Sequence, residues 1–533
     1  MRRGFAAVAL SVAGLTLAAR ILGFGRSLVF SKTVGDTCLG DVYNAANSLP
    51  NALFEIVAGG VLAGVVIPVV ARHVGAGRRS EAGATVSALV TWTLLVLTPA
   101  GLAALAGAGL YGRAFAKADC AGSDAVLAGL LVMFVPQVWL YGLAVVSAGV
   151  LQAHERFLAA AAAPLVSSLV VIAAYLAFAG LAGPDAGADP ATLSRSALRA
   201  LGWGTTAGVL ALTLTTLVPL LRLGLRLRPR LRFAAGDRSV VGRIAAAGLV
   251  GLVLQQVSVL VISWANQQTG DQGALTRFTW ASAIYLLPYA VLAAPLLQLV
   301  FPRLSSAAET GPSEVRAVLT RTGPLVVVAG WLGAGLLVAT AVPVARVFVL
   351  GPGSGRTAAL AWPIVAYAPA VVGFTLLGLA SRTLLARHAA QAAGLTTAVG
   401  WAVVVVAVLV LRQVVPVEWL VPALAGSVSL GMVAGAVVGW RLVRRLDPEG
   451  RSVGLAGPMW VGAAGATLAG GLGAAASIPL AGTTIGWAVV GALGVSVLAM
   501  AIYAGVLRVA APALFGRLSA LRHRADESRG VAP

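Results

Sequence analysis

Residues 34–72 read VGDTCLGDVYNAANSLPNALFEIVAGGVLAGVVIPVVAR, and residues 269–305 read TGDQGALTRFTWASAIYLLPYAVLAAPLLQLVFPRLS. Each begins with a Gly-Asp turn and runs into an apolar helix that has Leu-Pro early and a second proline near its far end. Those prolines are Pro50 and Pro68 in the first copy, Pro288 and Pro302 in the second. The second proline of the later copy comes about one helical turn sooner. Alanine- and valine-rich helices align easily by chance, but paired prolines do not, so the two stretches read as an internal repeat. Six spans separate the copies, which therefore keep the same orientation, as parallel repeats about an axis along the membrane normal do.

Outward from these helices the chain stays apolar. Over 533 residues the mean hydropathy is +0.92, with 59% hydrophobic and 11% charged residues. No ordinary soluble domain has that balance. Runs of roughly 20 apolar residues, each long enough for a hydrocarbon core of about 30 Å, recur about fourteen times. The spans read as 5–31, 41–71, 84–109, 124–150, 157–183, 197–222, 240–266, 275–301, 320–349, 357–385, 391–412, 417–441, 455–480 and 484–510. The predicted fold is an all-α integral membrane protein with two pseudo-symmetric six-helix lobes, 1–222 and 240–442, and a C-terminal helix pair, 455–511. A basic cytoplasmic linker (223–239), a cytoplasmic loop (443–454) and a cytoplasmic tail (512–533) complete it. In the linker, LGLRLRPRLRF alternates Leu and Arg. It reads equally as a strip lying on anionic headgroups and as an ordinary basic loop.

The net charge of +20 is not a nucleic-acid signal, because no polar domain gathers it. With the N-terminus inside, the outer loops hold only Lys32, Arg113, Lys117, Arg195, Arg199, Arg277, Arg346, Arg356 and Arg412. Apart from Arg20 and Arg26, which lie within a span, the other basic residues fall on the inner side. Both termini are therefore expected in the cytoplasm. The opening MRRGFAAVALSVAGLTLAAR has the basic start and apolar stretch of a cleaved signal, but apolar sequence resumes at once after Arg20, so it is read as a retained span. Cys38 and Cys120 both fall in outer loops; a disulfide and two unrelated thiols are equally open readings.

An arginine at mid-membrane costs at least about 2.5–3.5 kcal/mol and usually faces protein or a water-filled cavity. Two on one helix need company. On the second helix Asp41, Asn44, Asn47, Ser48, Asn51 and Glu55 fall within about 120° of one another, a polar stripe on an apolar rod. Depth along antiparallel helices sets Arg26 level with Asp41, and Arg20 level with Asn47 and Ser48. A buried Arg26–Asp41 latch with no ligand is one reading. The other is a cavity in which guanidinium forks and amides meet a phosphate-bearing ligand. Gly23, Gly25 and Pro50 loosen these helices, and carbonyls freed at such bends need water or side chains. No nucleophile–base pair, metal-ligand spacing or phosphate-binding loop is present, so no enzyme, cofactor or metal is expected.

The stretch LAARILGFGRSLVFSKTVGDTCLGDVYNAANSLPNALFEIVAGGVLAGVVIPVVARHV resembles the first two helices of the MurJ/MviN family of lipid II flippases. AGVLQAHERFLAAAAAPLVSSLVVI resembles that family's fourth-to-fifth helix junction, and LLPYAVLAAPLLQLVFPRLS its eighth helix. The alanine-rich, arginine-over-lysine composition is similar to that of actinobacterial members. The resemblance implies a fourteen-helix transporter of the MOP exporter superfamily in a bacterial plasma membrane, moving a polyprenyl-diphosphate peptidoglycan precursor outward for cell-wall biogenesis. It further implies a cationic central cavity, and a groove beside the last two helices for the lipid tail. Arg20 and Arg26 match the family's first-helix arginines and Asp41 its acidic residue opening the second helix. Ser27, Phe54, Gly59 and Ala283 stand where many members carry Asp, Arg, Glu and Arg, and Glu55 is additional. The acidic residues between Asp271 and Glu418 are Glu309 and Glu314, both in a cytoplasmic loop, so the family's second-lobe sodium site is not expected.

The roles that follow are Arg20 and Arg26 for the diphosphate, Asn44, Asn47 and Asn51 for phosphate or sugar, Asp41 and Glu55 for gating or proton coupling, and Pro50 and Pro288 as hinges. Membrane potential or protons would drive the step. Membrane lipids and cell-wall synthesis proteins are the expected partners beside the lipid-linked glycan. The rival functions are a flippase for another polyprenyl-diphosphate glycan, a multidrug exporter of the same superfamily, and a non-transporting membrane scaffold.

Overall fold

The computed structural model describes residues 2–56, 63–183, 190–225, 227–233, 237–349, 357–447 and 453–516. Gly59, Arg356, part of the 443–454 loop and most of the 512–533 tail lie outside them. Among the described residues all regular structure is helical. Among the described residues twelve helices are long and apolar enough to cross a membrane; Arg2–Thr33 and the broken segment 38–75 stand outside that count. The fold is an all-α, multi-pass membrane bundle.

Two compact units divide the chain, one within 1–276 and one within 277–349 and 355–533. The first contains α1 (Arg2–Thr33), α2 (Cys38–Phe54), α3 (Ala63–Gly75), α4 (Arg79–Ala106) and the short α5 (Ala108–Ala114). It continues through α6 (Ser123–Phe134), α7 (Pro136–Ala153), α8 (Phe157–Ala182), α9 (Arg195–Leu221) and α10 (Asp237–Gln267). Helix α11 (Ala274–Pro288) begins at its edge. The second contains α12 (Ala294–Thr310), α13 (Pro312–Phe348), α14 (Thr357–Ala366), α15 (Ala368–Ala386), α16 (Ala390–Val414), α17 (Val417–Arg445), α18 (Ala456–Ser477) and α19 (Ile485–Ala510).

In lipid every backbone group must bond within the protein, which makes helix the default for these apolar runs. Buried hydroxyls obey the same constraint by bonding back one turn: Thr93 to Leu89 O, Ser87 to Gly83 O, Thr375 to Val371 O. Helices then approach through small residues. In unit 1, Gly204 and Gly208 of α9 lie against Ala174 and Val171 of α8. In unit 2, Gly431 of α17 meets Gly400 of α16, and Gly465 of α18 lies under the Tyr503 ring of α19, whose hydroxyl donates to Val328 O at 2.9 Å.

The repeat is legible in the backbone. In the second span, α2 passes Pro50 and takes a π-helical turn at Glu55 and Ile56; in the eighth, α11 ends at Pro288 and a π turn covers Tyr289–Ala293. Such turns leave carbonyls free and recur at functional positions. Pro136 divides the fourth span into α6 and α7, and the tenth divides at Tyr367, two residues before Pro369. Those two spans also end alike. Glu155 and His388, both at φ 59°, are the left-handed residues after α7 and α15. Each turn closes with the same pair of bonds: Glu155 N–H to Gln152 O and Arg156 N–H to Leu151 O in one, His388 N–H to Leu385 O and Ala389 N–H to Leu384 O in the other. This is the Schellman pattern, carried here by non-glycine residues.

The Leu–Arg alternation after α9 is an extended segment. Leu223, Leu225, Leu227 and Phe233 pack on a cluster that includes Val66, Val86, Leu89 and Leu220. Arg228 N–H and Arg230 N–H donate to Ser87 Oγ and Thr91 Oγ1 of α4, while the guanidinium-bearing residues 228, 230 and 232 are exposed. Period two places successive side chains on opposite faces.

Candidate functional site in unit 1

Thr37 caps α2, its hydroxyl accepting Gly40 N–H at 3.2 Å, so the polar stripe starts at a fixed point. Asp41 is one turn in and wholly buried. Its carboxylate accepts Gly273 N–H at 2.9 Å, Thr276 N–H at 2.9 Å and the Thr276 hydroxyl at 3.0 Å. Lys117 Nζ completes the set at 3.1 Å. The expected Arg26 partner is therefore replaced: a loop lysine that hydropathy reads as an outer charge occupies that place. Lys117 also donates to Asn266 O at 2.9 Å and Asp271 O at 2.8 Å. Gln267 donates to Asp41 O at 3.1 Å, so α10, the 268–273 turn and α2 close around one ion pair.

Two glycines make the approach possible. Gly273 has φ +79°, and a Cβ there would overlap Asp36 backbone. A Cβ on Gly40 would overlap Gly35 O and stand 2.9 Å from Thr276 Oγ1. Cys38 and Cys120 are joined in a disulfide with Cα atoms 6.2 Å apart, bringing the 115–122 loop onto the start of α2.

Deeper on α2, Asn44 donates to Gly40 O and to Thr276 Oγ1, and Ser48 donates to Asn44 O. Asn47 keeps a buried amide oxygen without a hydrogen-bond partner. Asn51 is half-buried, its carbonyl sharing the Glu55 N–H with Ala52 O. Glu55 is exposed at the π turn, and Pro50 is buried beside the stripe. Pro288 lies in unit 2, immediately before its π turn.

Helix α1 packs on α8. Arg20 is exposed on a stripe with Leu17, Ile21 and Phe24. Arg26 is half-buried and lies within electrostatic reach of Tyr43, Tyr141 and Tyr175. Among the described residues neither arginine forms an ion pair with a carboxylate. Sequence reading missed the tyrosines. Tyr43 Oη lies 2.9 Å from Tyr175 Oη and 3.0 Å from Thr205 Oγ1, and its ring packs edge-on against Phe134 and tilted against Phe30.

The family model described as lipid II flippase MurJ matches residues 30–474. The chain belongs to this family. Two curated MurJ relatives show the distance within it. A probable lipid II flippase MurJ of Rhizobium meliloti (strain 1021) is 29% identical over 310 residues, covering 56% of this chain and 55% of the relative. A lipid II flippase MurJ of Burkholderia cenocepacia is 26% identical over 313 residues, 56% of each. The chain thus spans about half the length of the curated relatives it matches. A solved MurJ structure in an inward closed conformation superposes with TM-score 0.70 at 15% identity, over 93% of this chain and 98% of that one. An inward-facing multidrug resistance MATE transporter of the MOP superfamily superposes with TM-score 0.65 at 12% identity, over 83% and 98%. At such identities the likeness is one of fold.

Unit 2 holds a mostly apolar cavity of about 540 Å³ between α13, α15, α17 and the start of α18. Trp331, Leu376, Val437, Trp440 and Met459 line it, with Arg444 as its charged residue.

Proposed function

We propose that the chain is a lipid II flippase that carries the polyprenyl-diphosphate-linked precursor from the inner to the outer leaflet by alternating access. The observation that carries this is Arg26, a membrane-embedded guanidinium set among phenols rather than carboxylates, with Arg20 about two turns away on the same helix. A structural arginine in lipid takes a counter-charge. A substrate arginine leaves that place for the ligand. A diphosphate supplies paired oxygens for the guanidinium fork. The unpartnered amide oxygen of Asn47 suits a hydroxyl or amide N–H of the glycan head, and Asn44 and Asn51 flank it. The multidrug alternative calls for an acidic or aromatic cavity for cations, which two arginines oppose.

Alternating access would bend the chain at Pro50 and Pro288, each followed by a π turn. Asp41 holds the 273–276 backbone in the closed arrangement, and Glu55 at the π turn is the candidate proton carrier. Moving an anion outward down an inside-negative potential yields about 2.3 kcal/mol per charge per 100 mV, roughly 4–5 kcal/mol for two phosphate charges. The cavity beside α18 offers apolar wall for a stretch of polyprenyl tail, with Arg444 near a phosphate. Both termini lie in the cytoplasm on this reading, and cell-wall synthesis proteins are the partners that would supply and consume the substrate.

Complementation of a lipid II flippase depletion strain tests it, comparing wild type with Arg20→Ala and Arg26→Ala at matched membrane levels. Rescue by wild type and loss in both variants is expected. Rescue by all three sinks the arginine mechanism while keeping the function. Failure of well-expressed wild type removes lipid II in favour of another lipid-linked glycan or a scaffold role.

A further inference from the structure

Lys117 is the least expected residue of unit 1. A lysine in a connecting loop ordinarily keeps its hydration and rotamer freedom, yet this side chain has no exposure at all. Its ammonium offers three donors, and four acceptors lie in reach: Asp41 Oδ2 at 3.1 Å, Asn266 O at 2.9 Å, Asp271 O at 2.8 Å and Thr269 Oγ1 at 3.4 Å. The loop carrying it is built rather than slack. Lys117 N–H donates to Ser123 Oγ at 3.1 Å, Cys120 N–H donates to Lys117 O at 3.2 Å, and Gly122 turns the chain at φ 66°.

The disulfide adds the second observation. Cys38 stands three residues before Asp41, and Cys120 three residues after Lys117, so the covalent link and the ion pair bracket the same crossing of α2 and the loop. We propose that Lys117 is the positioning residue that fixes Asp41 and the 266–276 turn in the closed arrangement, and that the Cys38–Cys120 bond serves to present it there. The consequence for transport rests on the flippase reading. The pair separates the roles of two sets of bonds. Gly273 and Thr276 reach Asp41 from the turn and can leave with it. Lys117 is tethered to the same helix as Asp41 and stays. Its bonds to Asn266 O and Asp271 O tie the turn to this site, so the turn must break them to depart, while Asp41 keeps a counter-charge instead of becoming an orphan carboxylate in a poorly hydrated region.

Amide hydrogen exchange on the full chain in lipid nanodiscs, without substrate, reads this directly at Gly273 and Thr276. Lys117→Met, and separately Cys38→Ala with Cys120→Ala, are expected to speed exchange there by about tenfold or more while α8 and α9 keep wild-type protection. The Lys117→Met, Asp41→Asn double variant is expected to exchange no faster at these two amides than Asp41→Asn alone, because Lys117 acts on them through the Asp41 carboxylate. Wild-type exchange in Lys117→Met overturns the assignment, as do strictly additive effects in the double variant. Acceleration spread evenly through unit 1 also overturns it, since that marks a lost fold. Wild-type exchange in the cysteine variant overturns the role given to the disulfide. A chain that responds as expected here but fails to complement the depletion strain sinks the flippase reading and leaves this one standing.

Discussion

The Lys117 ammonium stands 3.1 Å from the Asp41 carboxylate, and neither side chain is exposed. Residues far apart in the chain meet in a pair whose hydrogen-bonding capacity is filled, so each is the other's condition for burial. Removing one partner leaves a buried charge without compensation, a loss of about 3–5 kcal/mol. Asp41→Asn and Lys117→Met should each lower the midpoint of thermal unfolding of the detergent-solubilised protein. An unchanged midpoint in either would show that water reaches the site.

Glycine at 273 is demanded by backbone conformation and by contact together, whereas Gly77, at φ +70°, has open space around it. Gly77→Ala should cost only the left-handed penalty of about 1–2 kcal/mol. Gly273→Ala adds overlap with Asp36 and should be clearly worse in the same unfolding measurement. Equal effects would mean that the 266–276 turn yields freely.

Tyr43→Phe removes the hydroxyl shared with Tyr175 and Thr205, a loss of about 1–3 kcal/mol if both are left unsatisfied. It also removes a phenol oxygen within electrostatic reach of Arg26. In the complementation assay, Tyr43→Phe is expected to weaken growth less than Arg26→Ala; the reverse order would move the anion-binding role away from Arg26.

Guanidinium geometry gives a further test. Arg26→Lys keeps the charge but loses the planar fork. Growth support well below wild type at equal expression is the expected outcome, and full support by lysine would reduce the residue's role to charge alone.

Close helix packing in unit 2 predicts a contrast between two glycines of α17. A side chain on Gly431 runs into Gly400 and Val404, while Gly426 has nothing within 4 Å. Gly431→Val should destabilise by about 1–3 kcal/mol, with Gly426→Val close to neutral, as read by detergent unfolding midpoints.

Much of this architecture is readable locally. Hydropathy alone marks the spans, and the paired prolines of 34–72 and 269–305 announce a repeat that the structure carries into its π turns and into the turns at Glu155 and His388. The stripe of Asp41, Asn44, Asn47, Ser48 and Asn51 follows from helical period. Depth counting was a poorer guide. It put Arg26 opposite Asp41 because the two share a level, but level does not say which side of a helix faces which neighbour. The short α5 and the built turn at Lys117 insert a third element that no pairwise comparison of two helices contains.

What the sequence by itself determined is the class of solvent, the helices that class requires, and the presence of two arginines within one predicted span. These are properties of windows of a few turns, and the cost of exposing backbone or charge to lipid acts on each window alone. Only the tertiary structure decided that Cys38 pairs with Cys120, that Leu223, Leu225 and Leu227 of the Leu–Arg strip pack on the cluster at Val66, and that Lys117 rather than Arg26 holds Asp41. Each depends on which loops converge on one helix end, and that is set by packing between segments far apart in the chain.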